Sequence, residues 1–183
     1  MFKSIFNLKF VDEDVNIIII DGDEFFSKIL KTKFESTASY KIMDFSSGEE
    51  FLENFIKSKL PKNSIPFIIL DYSLKENKGN GGKDGLEILK IIKELYPDID
   101  VIMISVLEDI DIATTSMHYG ATSFIKKNEN SFLRIHNNIK YLISKRRLER
   151  TKKQSRLTRK IFLILIISLI LVILFFFKEL FLK

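Results

Sequence analysis

Residues 17–26 read "IIIIDGDEFF". Four isoleucines in a row show no polar alternation, so both faces of this segment are bound for an apolar interior. That is the pattern of a central strand in a parallel sheet. Extended to "VNIIIID", the strand ends at Asp21. Asp21 and Asp23 stand at its exit, held apart by Gly22. Beyond them Phe25, Phe26, Ile29, Leu30 and Phe34 recur at helical spacing. The unit is a strand, an acidic turn and a helix.

The same alternation continues to residue 145. "YKIMDF" reads as a second strand, and "SSGEEFLENFIKSKL" as a helix opened by a capping box of Ser47 and Glu50. "PFIILDYSL" predicts a third strand, and "GLEILKIIKELYP" a helix ended by Pro97. "VIMISV" is a fourth strand, followed by a helix "DIDIATTSMHYG" that stops at Gly120. "TSFIKK" is the fifth strand, and "NSFLRIHNNIKYLISKRRLER" a helix able to run on towards the C-terminus. "KENKGNGGKDG" reads as a flexible loop after the third strand. Five strands alternating with five helices predict a doubly wound α/β fold, with a five-stranded parallel sheet covered on both sides.

In such sheets ligands bind outside the C-terminal strand ends. Those ends carry Asp21 and Asp23 after the first strand, Asp71 after the third, Ser105 in the fourth and Lys127 after the fifth. Clustered carboxylates repel, and oxygen donors in a solvated cleft suit Mg²⁺. An aspartate beside that metal can act as nucleophile towards a phosphoryl group. A hydroxyl and an ammonium opposite would hold the phosphoryl oxygens.

These segments resemble the receiver domain of two-component response regulators. The resemblance spans residues 15–145 and rests on "IIIID", "SSGEEFL", "FIILD", "DGLEIL", "VIMIS" and "GATSFIKK" in that order. It implies a flavodoxin-like receiver fold and a signalling domain rather than an enzyme. Asp71 would be the phosphoacceptor, served by a sensor histidine kinase or a histidine phosphotransfer protein. Ser105 and Lys127 would bind the phosphoryl group. Asp21, Asp71 and the main-chain carbonyl of Ser73 would hold Mg²⁺, and Phe124 would be the switch aromatic. Ser73 also stands where a related metal-dependent phosphatase would need a second acid, which argues against that class.

The chain departs from the family pattern at several positions. Gly22 stands where the second acid, a direct metal ligand, is usual. Asp23 matches a third position, often acidic but not usually a ligand. Two outcomes are open: Asp23 turns into the gap, or metal binding is weakened. Val106 replaces a small residue and narrows the approach to Asp71. Asn128 replaces a proline. The loop between Asp71 and Gly85 is long and lacks the family's proline, which reads as a tolerated insertion. With Gly22 and Val106 in view, a pseudo-receiver that binds partners without phosphorylation is the alternative.

The net charge of +5 is unevenly placed. "KRRLERTKKQSRLTRK", residues 145–160, carries nine Lys/Arg and one Glu, while residues 1–144 are mildly acidic. A nucleic-acid partner is therefore not expected. The absence of cysteine excludes disulfides and thiolate metal sites. "IFLILIISLILVILFFF", residues 161–177, follows the basic run; as a helix it spans about 26 Å, the short end of a bilayer crossing. The expected organisation is an N-terminal extension (1–14), a receiver (15–145), a basic juxtamembrane segment (146–160), a transmembrane helix (161–178) and a short tail (179–183). The positive flank places the N-terminal side in the cytoplasm, at the inner face of the plasma membrane. The opening "MFKSIFNLKFVDEDVN" is too acidic for a signal peptide. The expectation is a membrane-tethered, single-domain regulator that signals through a downstream protein contact.

Overall fold

The computed structural model describes residues 14–37, 40–57, 64–74 and 82–181. The N-terminal extension up to residue 13 and most of the long loop after the third strand lie outside the described residues. The chain divides into two compact units, Met1–Ile139 and Lys140–Lys183. The boundary falls inside the stretch expected to belong to the receiver up to residue 145.

The first unit is built on β1 (Asp14–Ile20), β2 (Lys41–Phe45), β3 (Ser64–Asp71), β4 (Asp100–Ser105) and β5 (Ser123–Lys126). All are parallel, in the order β2-β1-β3-β4-β5. Between them run α1 (Glu24–Thr37), α2 (Gly48–Lys57), α3 (Gly85–Leu95) and α4 (Ile110–His118), and α5 (Ser131–Phe181) follows β5. The predicted doubly wound architecture is present. Ile17 to Ile20 are all fully buried, as a strand covered on both faces requires. β2, at the edge, is only partly covered.

Two local expectations need correction. The third strand begins at Ser64, before Pro66. Proline lacks an N–H, but Pro66 pairs only with β1, because the β4 ladder starts one residue later at Phe67. At α2, Ser47 Oγ accepts the Glu50 N–H as predicted, at 3.2 Å. The Glu50 carboxylate, however, closes on the N–H and hydroxyl of Ser46 rather than on Ser47. The reciprocal box is formed instead at α3. There Asp84 accepts the Glu87 N–H at 2.8 Å, and Glu87 accepts the Asp84 N–H at 2.9 Å. Beyond α4, Gly120 adopts φ of 94°, which terminates the helix and turns the chain into β5.

In the second unit the α5 backbone is helical to Phe181. Among the described residues no helix is long and apolar enough to cross a membrane. The side chains of 171–173 and 175–183, inside the expected span 161–178 and the tail 179–183, lie outside the described residues.

Candidate functional site

The strand order reverses direction between β1 and β3, since the chain leaves β1 for one edge and β3 for the other. A crevice opens at the C-terminal ends of two strands that part in this way. Asp21 lies just past β1 and Asp71 closes β3, and the register Ile20↔Leu70 sets them side by side. Both are buried, each with 1% of its surface exposed. Two carboxylates at this depth require a cation.

Lys127 supplies one. It follows β5, fixed by its N–H to the Ser105 carbonyl at 2.6 Å. Its Nζ donates to Asp21 Oδ1 at 2.9 Å, and sits 2.9 Å from Asp21 Oδ2 and 3.1 Å from Asp71 Oδ1. Neither of the last two oxygens receives a well-directed hydrogen bond. One ammonium therefore balances two carboxylates and leaves lone pairs unsaturated. Burial, then the charge of Asp71, push the Asp21 carboxyl up to about 6, against the opposing pull of Lys127.

Ser105 closes β4, one residue past Ile104, which pairs with Asp71; it is fully buried, its Oγ accepting the Leu107 N–H at 3.0 Å. Val106, next in the chain, is exposed and lines a cleft of about 420 Å³ with Phe26, Lys127 and Phe132. Phe124 is half-buried against the core and faces a second cleft of about 400 Å³ with Glu108, Ile110 and Arg134. Lys126 pairs with Glu108 at that cleft's rim.

Asp23 stands apart. Its Oδ1 accepts the N–H groups of Phe25 and Phe26, both at 3.0 Å, so it caps α1. Its own N–H donates to Asp21 Oδ1 at 2.9 Å. The acid that follows Gly22 thus has one carboxylate oxygen occupied by a helix end. Among the described residues no three acids or histidines gather around one point. The two unsaturated carboxylates nonetheless suit a hard cation. Asp21, Asp71 and the carbonyl of Ser73 would supply protein donors, water completing the set.

The site owes two supports to residues that sequence reading left without a role. Gly85, at the start of α3, lies against the backbone of Asp71 and Tyr72 and donates its N–H to the Tyr72 carbonyl at 3.0 Å. An Asp-Gly pair opening a helix was the available signal. Phe26 sits over the Lys127 ammonium, its ring centroid 4.9 Å from Nζ. No sequence pattern separates it from the other apolar residues of α1.

After Lys127 no cis peptide occurs among the described residues. The Asn128 N–H, which proline would lack, donates to Ser131 Oγ at 2.6 Å, and Asn128 Oδ1 accepts the Asn130 N–H. Asn128→Pro should therefore cost about 1 kcal/mol, read as a lower melting temperature. An unchanged melt would mean these bonds do not hold the start of α5.

A sequence profile of the response regulator receiver domain matches residues 17–140. The chain belongs to this family. Receiver domains are signalling modules, and the paired aspartates with their lysine fall inside the matched region. The transcriptional regulatory protein MalR of Bacillus subtilis is 23% identical over 113 residues, 62% of this chain and 44% of its own length. A probable transcriptional regulator, ycf27, of Cyanidium caldarium is 30% identical over 112 residues, 61% of this chain and 40% of its own. The chain thus spans less than half the length of these relatives. Among solved structures, a CheY-like receiver from Methanospirillum hungatei shares the fold with a TM-score of 0.62 at 20% identity, covering 74% of this chain and 98% of that one. A CheX–CheY–BeF3–Mg complex from Borrelia burgdorferi matches with a TM-score of 0.59 at 25% identity, covering 70% and 89%.

Proposed function

We propose that this receiver accepts a phosphoryl group on Asp71 from a phosphohistidine of a sensor kinase or phosphotransfer protein. The observation that carries the reading is the buried Asp21–Asp71 pair bridged by Lys127 at the crevice between β1 and β3. An Asp71 carboxylate oxygen attacks phosphorus, the P–N bond to imidazole breaks, and the imidazole leaves with a proton. Lys127, already 3.1 Å from Asp71 Oδ1, is placed to pair with a phosphoryl oxygen. The Ser105 hydroxyl, whose oxygen accepts from Leu107, retains its proton to donate to another. Mg²⁺, held by Asp21, Asp71 and the Ser73 carbonyl, would neutralise charge on the transferring group. Phe124 is the residue through which occupancy of Asp71 would reach the face formed by α4, β5 and α5.

The test is phosphorylation of the full-length chain by a small-molecule phosphodonor with Mg²⁺, read by intact mass. The wild type should gain one phosphoryl group and Asp71→Asn none. A folded wild type without an adduct would overturn the reading.

One observation favours a second reading. Asp23 Oδ1 is taken up by the cap of α1, and among the described residues no third acid joins Asp21 and Asp71. A pseudo-receiver, binding partners without phosphorylation, would show no Mg²⁺-dependent change around Asp71 at millimolar metal.

The proposal extends to a membrane tether through residues 161–178. Ile161 to Ile167, Leu169 and Ile170 are each at least two-fifths exposed, an apolar helix surface that water does not favour. The basic run before it favours an anionic cytoplasmic leaflet, with the receiver on that side. Carbonate extraction of membranes should leave the chain in the pellet, and its release would exclude an integral anchor.

A further inference from the structure

Lys127 has to stay in a narrow place. Its backbone is fixed at the end of β5, but its side chain is a flexible four-carbon stem, and it lacks a directed hydrogen bond to Asp71. Beside it lies the 420 Å³ cleft, room into which the stem can swing. Phe26 lines that same cleft. Its ring faces the ammonium at 4.9 Å, within the range of cation–π attraction.

Core packing does not explain Phe26. The buried residues of α1 are Ser27, Leu30 and Phe34, one stripe of the helix. Phe26 is only half-buried, and it lines the cleft. Its own N–H is taken by Asp23, so the same cap that starts α1 also fixes where this ring stands.

We propose that Phe26 is a positioning residue for Lys127, holding the ammonium between Asp21 and Asp71 so that it is poised for a group arriving on Asp71. The first half of this inference stands on the contact; the second rests on the phosphoacceptor reading. An aromatic face suits the task better than an acid would. It attracts the ammonium without neutralising it, and it competes with neither carboxylate nor phosphoryl oxygen for the ammonium's hydrogen bonds.

The test is residue-resolved acetylation of lysines in the full-length chain, read by mass spectrometry as the rate at Lys127 relative to Lys90. Lys90 packs over Tyr119 on another helix and serves as reference. Phe26→Leu should raise the ratio about fivefold, and Phe26→Tyr, which keeps the ring, should leave it unchanged. Phe26→Met provides a second ring-free variant should the leucine variant fold poorly. Melting temperatures establish that each compared variant is folded. A ratio unchanged in folded Leu or Met variants, or raised equally in Tyr, overturns the contact. Phosphorylation by the small donor should be slower in the ring-free variants and normal in Tyr. Wild-type rates in all of them would overturn the positioning role. Should even the wild type accept no phosphoryl group, the phosphoacceptor reading falls while the labelling ratio still decides the contact.

Discussion

Asp21→Asn should stabilise the protein at pH 7, in chelator, by roughly 3 kcal/mol, as measured by urea denaturation. The Asp21 carboxyl is raised from 3.8 to about 6, first by burial and then by Asp71. At about 1.4 kcal/mol per unit, ionised Asp21 costs the folded state that amount. The sign follows from proton binding. The folded protein holds this proton more tightly than the unfolded chain, so the contribution is favourable below 3.8 and is lost as pH rises through 6. Between pH 7 and pH 5 the wild type should regain roughly 1 kcal/mol from this group, and the asparagine variant nothing. The amide still offers an oxygen to the Asp23 N–H, and Lys127 keeps Asp71. An asparagine variant less stable than wild type at pH 7 would show that ionised Asp21 is well compensated. In the proposed function the same change removes a metal ligand, so stability should rise while phosphorylation falls.

The second large effect is at Gly85. A Cβ there would lie 2.2 Å from the Asp71 carbonyl oxygen and 2.7 Å from the Tyr72 Cα. Both are backbone atoms of a central strand's end, so no rotamer change makes room. Gly85→Ala must lift α3 off β3 or move the peptide that carries Asp71. We expect a loss of about 3 kcal/mol and a melting temperature lower by roughly 10 °C. By contrast, the Cβ of an alanine at Gly48 would meet side-chain atoms of Ile88 rather than backbone. Its loss should be the smaller of the two. A Gly85→Ala variant melting within about 2 °C of wild type would mean the strand end is softer than this packing implies.

The fold was legible because its signals were strong and mutually consistent. The isoleucine run, the helical spacing after Asp23, Pro97 and Gly120 each act through local backbone or burial physics. The convergence of Asp21, Asp71 and Lys127 was also readable, since strand-end positions converge in any parallel sheet. What was not readable depends on side-chain direction. The Asp23 carboxylate had two competing uses, a helix end and a cleft, and sequence cannot weigh them. The Phe26 ring is one apolar residue among several until its distance to Nζ is known. The start of β3 was missed because proline discounts a strand unless its neighbours are known.

The depth of Asp71 also bears on time. An acyl phosphate is undone by water arriving in line with the bond to be broken, and Asp71 exposes 1% of its surface. In the proposed function, the walls around that carboxylate therefore do more than admit a donor. They would also set the lifetime of a phosphoryl group held there, so the fold would act as a clock whose rate is fixed by how often water gets in.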